Sequence, residues 1–92
     1  MRPLAHVVPA AVLQLLRDIP ISDGKVGFAW RAAVGPALGR ATHVRLEGRV
    51  LLVDAASPEW SREVARSSAV ILNRLQTLLG ADAVERIEVR RA

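Results

Sequence analysis

The sequence has no cysteine and no tyrosine, and aromatic residues make up only 3% of its 92 residues. The absence of cysteine excludes disulfide bonds, thiolate catalysis and thiolate metal sites. It is also compatible with a cytoplasmic location, which we expect for this protein. No apolar run approaches the roughly 18–20 residues that a membrane-spanning helix needs, so we expect no membrane partner. A chain of this length is too short for two separate cores, which predicts a single domain over residues 1–92.

Signatures of catalysis and of metal binding are missing as well. The only two histidines, His6 and His43, lie far apart and have no companion ligand at helical spacing. Ser57 and Asp54 could be grouped with His43 as a triad, but no nucleophile elbow surrounds the serine. Neither a Walker sequence nor a GxGxxG motif is present. We therefore predict no catalytic residues, no metal, no cofactor and no enzymatic activity.

Positive charge is what the sequence has in excess. Thirteen lysines and arginines face nine acidic residues, for a net charge of +4. Lys25 is the only lysine, so nearly all of the positive charge is carried by arginine. This composition predicts phosphates or acidic protein surfaces as partners. An arginine preference spread over an ordinary solvated surface explains the composition equally well.

Two helices are predicted in the first part of the chain. The first begins near Pro9, which suits a first helical turn. Its predicted apolar stripe consists of Val8, Val12, Leu15, Leu16 and Ile19. The second begins after Ser22 or Asp23, either of which can cap it, and ends at the "VGP" stretch. Its predicted stripe consists of Val26, Trp30, Ala33 and Val34.

The middle of the chain predicts a β-hairpin followed by a helix. The stretch "THVRLE" alternates apolar and polar residues with the period of a half-buried strand, and Gly48 allows a tight reversal. The returning strand, residues 50–55, is apolar on both faces, which predicts a central strand or a covered second face. Ser57 then caps a helix in which Pro58 takes the first position and Glu59 complements the helix dipole.

The rest of the chain predicts further helix and a last strand. Helical spacing continues to Gly80, either as one helix or as two with a break near "RSSA". The final stretch "VERIEVRR" alternates and predicts a third strand. The fold class is therefore α+β: a three-stranded mixed sheet with helices packed on one face, in the order α-α-β-β-α-β. The predicted structural core consists of Trp30, Trp60 and Leu75.

Trp60 lies in the first turn of a helix that must return across the sheet. Its ring is therefore expected to cover the sheet near the exit of the second strand, burying about 150–250 Å². The expected role of Trp60 is that of an anchor between helix and sheet rather than a ligand contact.

The arginines of the strands are the candidate binding residues. They alternate with apolar residues that must face the helices, so we expect them on the open face of the sheet, where they could contact phosphates. No aromatic residue shares this face, so any contact with nucleic acid is expected to involve the backbone and not stacked bases. An ordinary surface of mixed charge is the alternative. The predicted nucleic-acid-binding residues are Arg40, His43, Arg45, Arg49, Arg86 and Arg90.

Several stretches occur in an order and spacing that resemble the DciA family. They are "WRAAVG" from Trp30, "ATHV" from Ala41, "GRVLLVDA" from Gly48, "SPEWSREV" from Ser57, "ILNRL" from Ile71 and "LLGADAVERIEV" from Leu78. The resemblance implies a KH-like domain that helps to load the replicative helicase DnaB and binds DnaB and DNA without being an ATPase. KH domains grip nucleic acid with a GxxG loop between two helices. "GKVG", residues 24–27, matches these letters, but the type II KH order places that loop at "RSSA", so we interpret "GKVG" as the entry to a helix.

Two other functions remain open from the sequence. The first is a KH-like nucleic-acid-binding domain without a helicase partner, whose binding to single-stranded or duplex DNA should weaken steeply with salt. The second is a self-associating structural domain, a homodimer built on the doubly apolar strand that begins at Val50.

Overall fold

The computed structural model describes residues 9–90, except for the side chain of Arg17. Within this range the chain forms five helices and three strands. These are α1 (Ala10–Asp18), α2 (Asp23–Val34), α3 (Pro36–Arg40), β1 (Thr42–Glu47), β2 (Val50–Ala55), α4 (Pro58–Arg66), α5 (Ser68–Leu79) and β3 (Arg86–Arg90). The predicted α+β class and element order are confirmed, with one short helix added before the hairpin. Val8 and His6, which entered the sequence predictions, lie outside the described residues.

The sheet has the order β1-β2-β3 and is mixed. β1 and β2 form an antiparallel hairpin closed at Glu47 and Val50, and Gly48 in its turn has φ of 61°, a conformation that favours glycine. β3 pairs in parallel with the other side of β2, so that Val53 lies between Val44 and Val89. β2 is therefore the central strand, one of the two explanations offered for its apolar residues.

The core lies between one face of the sheet and helices α2, α4 and α5. Trp30 is only 2% exposed and Leu75 is fully buried. The indole Nε1 of Trp30 donates a hydrogen bond to Thr42 Oγ1 (2.8 Å), and this hydroxyl donates to the carbonyl of Leu38 (2.7 Å). Because its one polar atom is satisfied, the largest buried side chain joins α2, α3 and β1 at no cost in unpaired hydrogen bonds.

The helix boundaries follow the predicted capping residues. The Ser22 hydroxyl accepts a hydrogen bond from the backbone N–H of Lys25 (3.1 Å), and "GKVG" lies in the first turns of α2 as predicted. The Ser57 hydroxyl caps α4 by accepting from the N–H of Trp60 (3.3 Å), with Pro58 at the first helical position. The helix that follows the hairpin is split at Ser67, where ψ is 7°.

Three features differ from the expectations. The "VGP" stretch ends α2 but also starts α3, because Pro36 at the first helical position fits the backbone after Gly35. The predicted stripe of α1 is wrong in part: Leu16 is buried as predicted, but Leu13 faces the core in place of the exposed residues Val12, Leu15 and Ile19. Trp60 is only partly buried and packs on the rim of the core, since α4 directs Val64, one turn later, into the centre.

None of the helices within residues 9–90 is both long enough and apolar enough to cross a membrane.

Candidate functional site

The face of the sheet that points away from the helices carries most of the predicted binding residues. Strand register places its side chains in three rows, each with one residue from β1, β2 and β3 in that order. The rows are His43, Asp54 and Arg90; Arg45, Leu52 and Glu88; and Glu47, Val50 and Arg86. The arginines thus alternate with carboxylates across the sheet, and Leu52, only 9% exposed, lies among charged side chains in the middle row.

Each arginine on this open face has a carboxylate partner. The Arg45 guanidinium lies 2.8 Å from the Glu47 carboxylate, and the Arg90 Nε lies 3.9 Å from Asp54 Oδ1. Arg86 contacts two carboxylates, those of Glu85 (3.3 Å) and Glu88 (3.1 Å). The side chains in these pairs are roughly half exposed, so water screens the pairs and each contributes little to stability. The open face therefore carries alternating charges that largely cancel.

The two other predicted arginines lie beyond the ends of β1. Arg49 is in the hairpin turn, where its Nε donates a hydrogen bond to the backbone carbonyl of Asp82 (2.9 Å) and its charge has no carboxylate partner in the described part of the chain. Arg40 is the last residue of α3, exposed and without an ion pair among residues 9–90. Because the six residues of β1 span about 20 Å, Arg40 and Arg49 do not belong to one cluster.

Arg31 is a cationic residue that the sequence analysis did not select. It is exposed on α2, and its side chain makes no hydrogen bond or ion pair with any residue between 9 and 90. With His43 and Arg45 it lines a cavity of about 290 Å³ between α2, α3 and β1. The sequence offered only a weak signal that Arg31 lies in such a cavity. A glycine precedes Arg31 by one helical turn, and another, Gly39, follows the "VGP" stretch.

No glycine loop for gripping phosphates is found where a KH-like fold would place one. α4 ends at Arg66 and α5 begins at Ser68, so the junction consists of Ser67 alone and contains no glycine. Nucleic-acid binding of the GxxG type is therefore not supported at this junction.

A third surface surrounds Trp60. The ring borders a cavity of about 380 Å³ whose apolar wall is formed by Val34, Ala37 and Leu38 and whose rim carries Glu59 and Glu63. The pKa of Glu59 is lowered, first by a hydrogen bond from its own backbone N–H and then by the Ser57 side chain. Each glutamate pairs with an arginine of the same helix, Glu59 with Arg62 (4.0 Å) and Glu63 with Arg66 (3.4 Å). This cavity therefore combines a partly exposed aromatic ring with exposed ion pairs on its rim.

Histidine, aspartate and glutamate side chains are the possible metal ligands of this chain, which has no cysteine. Across the described range, no three histidine, aspartate or glutamate side chains lie close enough together to hold a metal ion. His43 and Asp54 lie opposite each other in the sheet, but Asp54 pairs with Arg90 and the Ser57 hydroxyl caps α4. Two of the three residues considered as a triad, Asp54 and Ser57, thus have structural partners of their own.

The described residues form a small α+β domain with a three-stranded mixed sheet and five helices. A family model described as "Dna[CI] antecedent, DciA" matches residues 3–89. The chain belongs to the DciA family, a family of helicase loaders and adaptors, and membership implies interaction with a replicative helicase. No curated protein and no solved structure matches the chain.

Proposed function

We propose that the protein is a bacterial adaptor that binds the replicative DNA helicase DnaB in the cytoplasm and assists its loading on DNA. The observation that carries this proposal is the extent of the family match, which includes every helix of the domain and all but the last residue of β3. An adaptor acts by binding, and the charged and aromatic surfaces described above suit that role.

Affinity capture with the cognate helicase tests this function. The purified protein is immobilised and exposed to purified DnaB, and unwinding of a forked duplex is then measured with and without the protein. Specific binding and faster unwinding are expected. Folded protein that shows no binding to the helicase, and no effect on unwinding, would contradict the proposal.

We further propose that the surface around Trp60 contacts the helicase. Large aromatic side chains next to a pocket supply much of the energy of protein interfaces, and Trp60 is partly exposed beside such a pocket. The exposed carboxylates of Glu59 and Glu63 pair with Arg62 and Arg66, and a partner's cationic side chain at this point could share these carboxylates. The exposed α1 residue Leu15 is the apolar comparison, because it lies on a different helix.

Two variants distinguish a specific contact at the Trp60 surface from non-specific hydrophobic binding. Trp60→Ala is expected to weaken helicase binding by tenfold or more, as about 1.4 kcal/mol or more is lost at an interface hot spot. Leu15→Asp removes an exposed apolar side chain elsewhere and is expected to leave the affinity unchanged. Circular dichroism confirms that both variants are folded. A loss of affinity in Leu15→Asp alone would place the helicase contact on α1 instead.

Weak, sequence-independent DNA binding is the second part of the proposed function. Phosphates are the proposed ligands of Arg40, His43, Arg45, Arg49, Arg86 and Arg90. On the open face a phosphate must replace a carboxylate such as Glu47 that an arginine already contacts, so each contact gains little and the affinity stays low. Arg40 and Arg49 have no carboxylate to displace among residues 9–90.

Charge reversal on the strands tests the DNA contact. Arg45→Glu combined with Arg90→Glu is expected to weaken binding to single-stranded DNA and to reduce the salt slope by about one unit per lost phosphate contact. Stability should change by less than about 1 kcal/mol for each exposed pair. The matched control exchanges Arg45 and Glu47, which keeps both the pair and the net charge and should keep DNA binding. If the double reversal disrupts protein association but spares DNA affinity, these arginines do not bind DNA.

A further inference from the structure

The outer edge of β1 is free within the described part of the chain. β1 pairs with β2 on one side only, and no strand among residues 9–90 pairs with the other side. The cavity of about 290 Å³ beside it is lined by the four consecutive residues Thr42–Arg45. Consecutive strand residues point to opposite faces, so a cavity that touches all four opens onto the edge itself. Alternate backbone N–H and C=O groups on such an edge are available to another strand.

Arg31 is held over this cavity by the close approach of α2 and α3. A Cβ atom on Gly27 would lie 3.2 Å from Arg31 Nη1, and one on Gly39 would lie 3.3 Å from Arg31 Cγ. Both glycines lie within helices, where glycine is less favourable than alanine by roughly 1 kcal/mol. Larger residues at these two positions would crowd the arginine side chain, so the glycines keep the space in which it lies.

The charge of the cavity is predominantly positive. Arg31 has no carboxylate partner among residues 9–90, whereas Arg45 shares its charge with Glu47. Asp23 is the one carboxylate in the lining. We propose that this groove binds an extended, acidic segment of a partner protein, which adds to β1 as a fourth strand and places a carboxylate against Arg31. This site is separate from the Trp60 surface and does not depend on the helicase role.

A peptide fits the groove better than the other possible occupants. A peptide strand supplies both donors and acceptors to the edge, whereas a phosphate backbone offers only acceptors to the N–H groups. Trp30, the aromatic residue in the lining, is 2% exposed, which leaves no ring on which a base could stack. A second copy of this chain is also disfavoured as the occupant. If two copies paired through their β1 edges, their cationic grooves would face each other, and the like charges would repel.

A synthetic peptide tests the proposal on the whole protein. The probe is a labelled peptide about eight residues long, in which valine and threonine alternate with glutamate, so that it can span the six residues of β1. Binding is followed by fluorescence anisotropy, and the backbone amides of β1 are followed by NMR with hydrogen exchange. We expect saturable binding that protects alternate β1 amides. A peptide with lysine in place of glutamate should not bind.

Charge reversal at Arg31 provides the decisive comparison. Arg31→Glu should weaken binding of the acidic peptide by about tenfold or more, while the matched reversal Arg66→Glu, on the exposed side of α4, should change it less than twofold. Equal losses in both variants would mean non-specific attraction and would overturn the proposal. A second result would also overturn the proposal: an oligothymidine protects the β1 amides from hydrogen exchange, and the acidic peptide does not bind. Concentration-dependent dimerisation that Arg31→Glu abolishes would assign the edge to a second copy instead.

Discussion

The two tryptophans form a matched pair in which burial is the main variable. Trp30 is 2% exposed and hydrogen-bonded, and its indole buries about 150–250 Å², equivalent to roughly 4–6 kcal/mol of transfer free energy. Trp30→Ala should therefore lower the free energy of unfolding by about 3–5 kcal/mol, the usual range for buried aromatics. Trp60 is only partly buried, so Trp60→Ala should cost less, about 1–3 kcal/mol.

Urea unfolding followed by far-UV circular dichroism measures both losses without relying on tryptophan. Each variant also leaves a single tryptophan, whose fluorescence should be blue-shifted for Trp30 and red-shifted for Trp60. If Trp30→Ala does not fold, Trp30→Phe can be used to measure the contribution of this side chain. The phenylalanine variant lacks the hydrogen bond to Thr42, which should cost about 1 kcal/mol of stability beyond the change in packing. A loss for Trp60→Ala equal to that for Trp30→Ala would refute the assignment of Trp60 to an exposed contact surface.

Substitutions at three further positions test the fold. Ser57→Ala should cost about 1 kcal/mol by loss of the α4 cap. The lowered pKa of Glu59 stabilises the folded state at pH values above the ordinary pKa of 4.5, and this contribution is lost as the pH falls through the lowered pKa. Because Ser57→Ala removes one cause of the lowering, stability should depend less on pH in this acid range. Urea midpoints measured at several pH values would show the difference. Leu75→Ala should cost about 2–5 kcal/mol in urea unfolding, since the site is fully buried. Gly48→Ala should cost about 1–2 kcal/mol of stability, measured as a lower melting temperature. An added Cβ would meet no atom within 4 Å, but φ of 61° is a left-handed conformation that alanine disfavours. Gly48→Asn should recover part of the lost stability, because asparagine tolerates this conformation better.

The elements that could be predicted from the sequence are those specified by local chemistry. Alternation in "THVRLE" and "RIEVR" defined two strands, and the doubly apolar β2 indicated either a central position or a covered second face. Ser57 followed by Pro58 defined the start of α4 because the cap and the first helical position each have a strong residue preference. These signals involve neighbours within a few residues, so no knowledge of the tertiary structure was needed.

The features that could not be predicted depend on which distant residues become neighbours. Arg90 meets Asp54 only because β3 pairs in parallel with β2 in one particular register, so the charge of the open face could not be judged from strand parity. Trp60 follows the helical spacing of a core residue, yet its position in the first turn of α4 leaves it on the rim. Arg31 became a candidate only when α3 was found to pack beside it.

The central position of β2 also determines the order in which the sheet can assemble. Val50 pairs with Glu47, three positions back, and with Arg86, 36 positions further on. Closing the larger loop costs about 2 kcal/mol more in entropy than closing the smaller one, so the hairpin can form before β3 pairs with β2. Until then the second edge of β2 is open, with Leu51 and Val53 beside it. Newly made chains are thus most exposed to mispairing during synthesis of the helices, and a chaperone that binds extended apolar segments would act at this stage on β2.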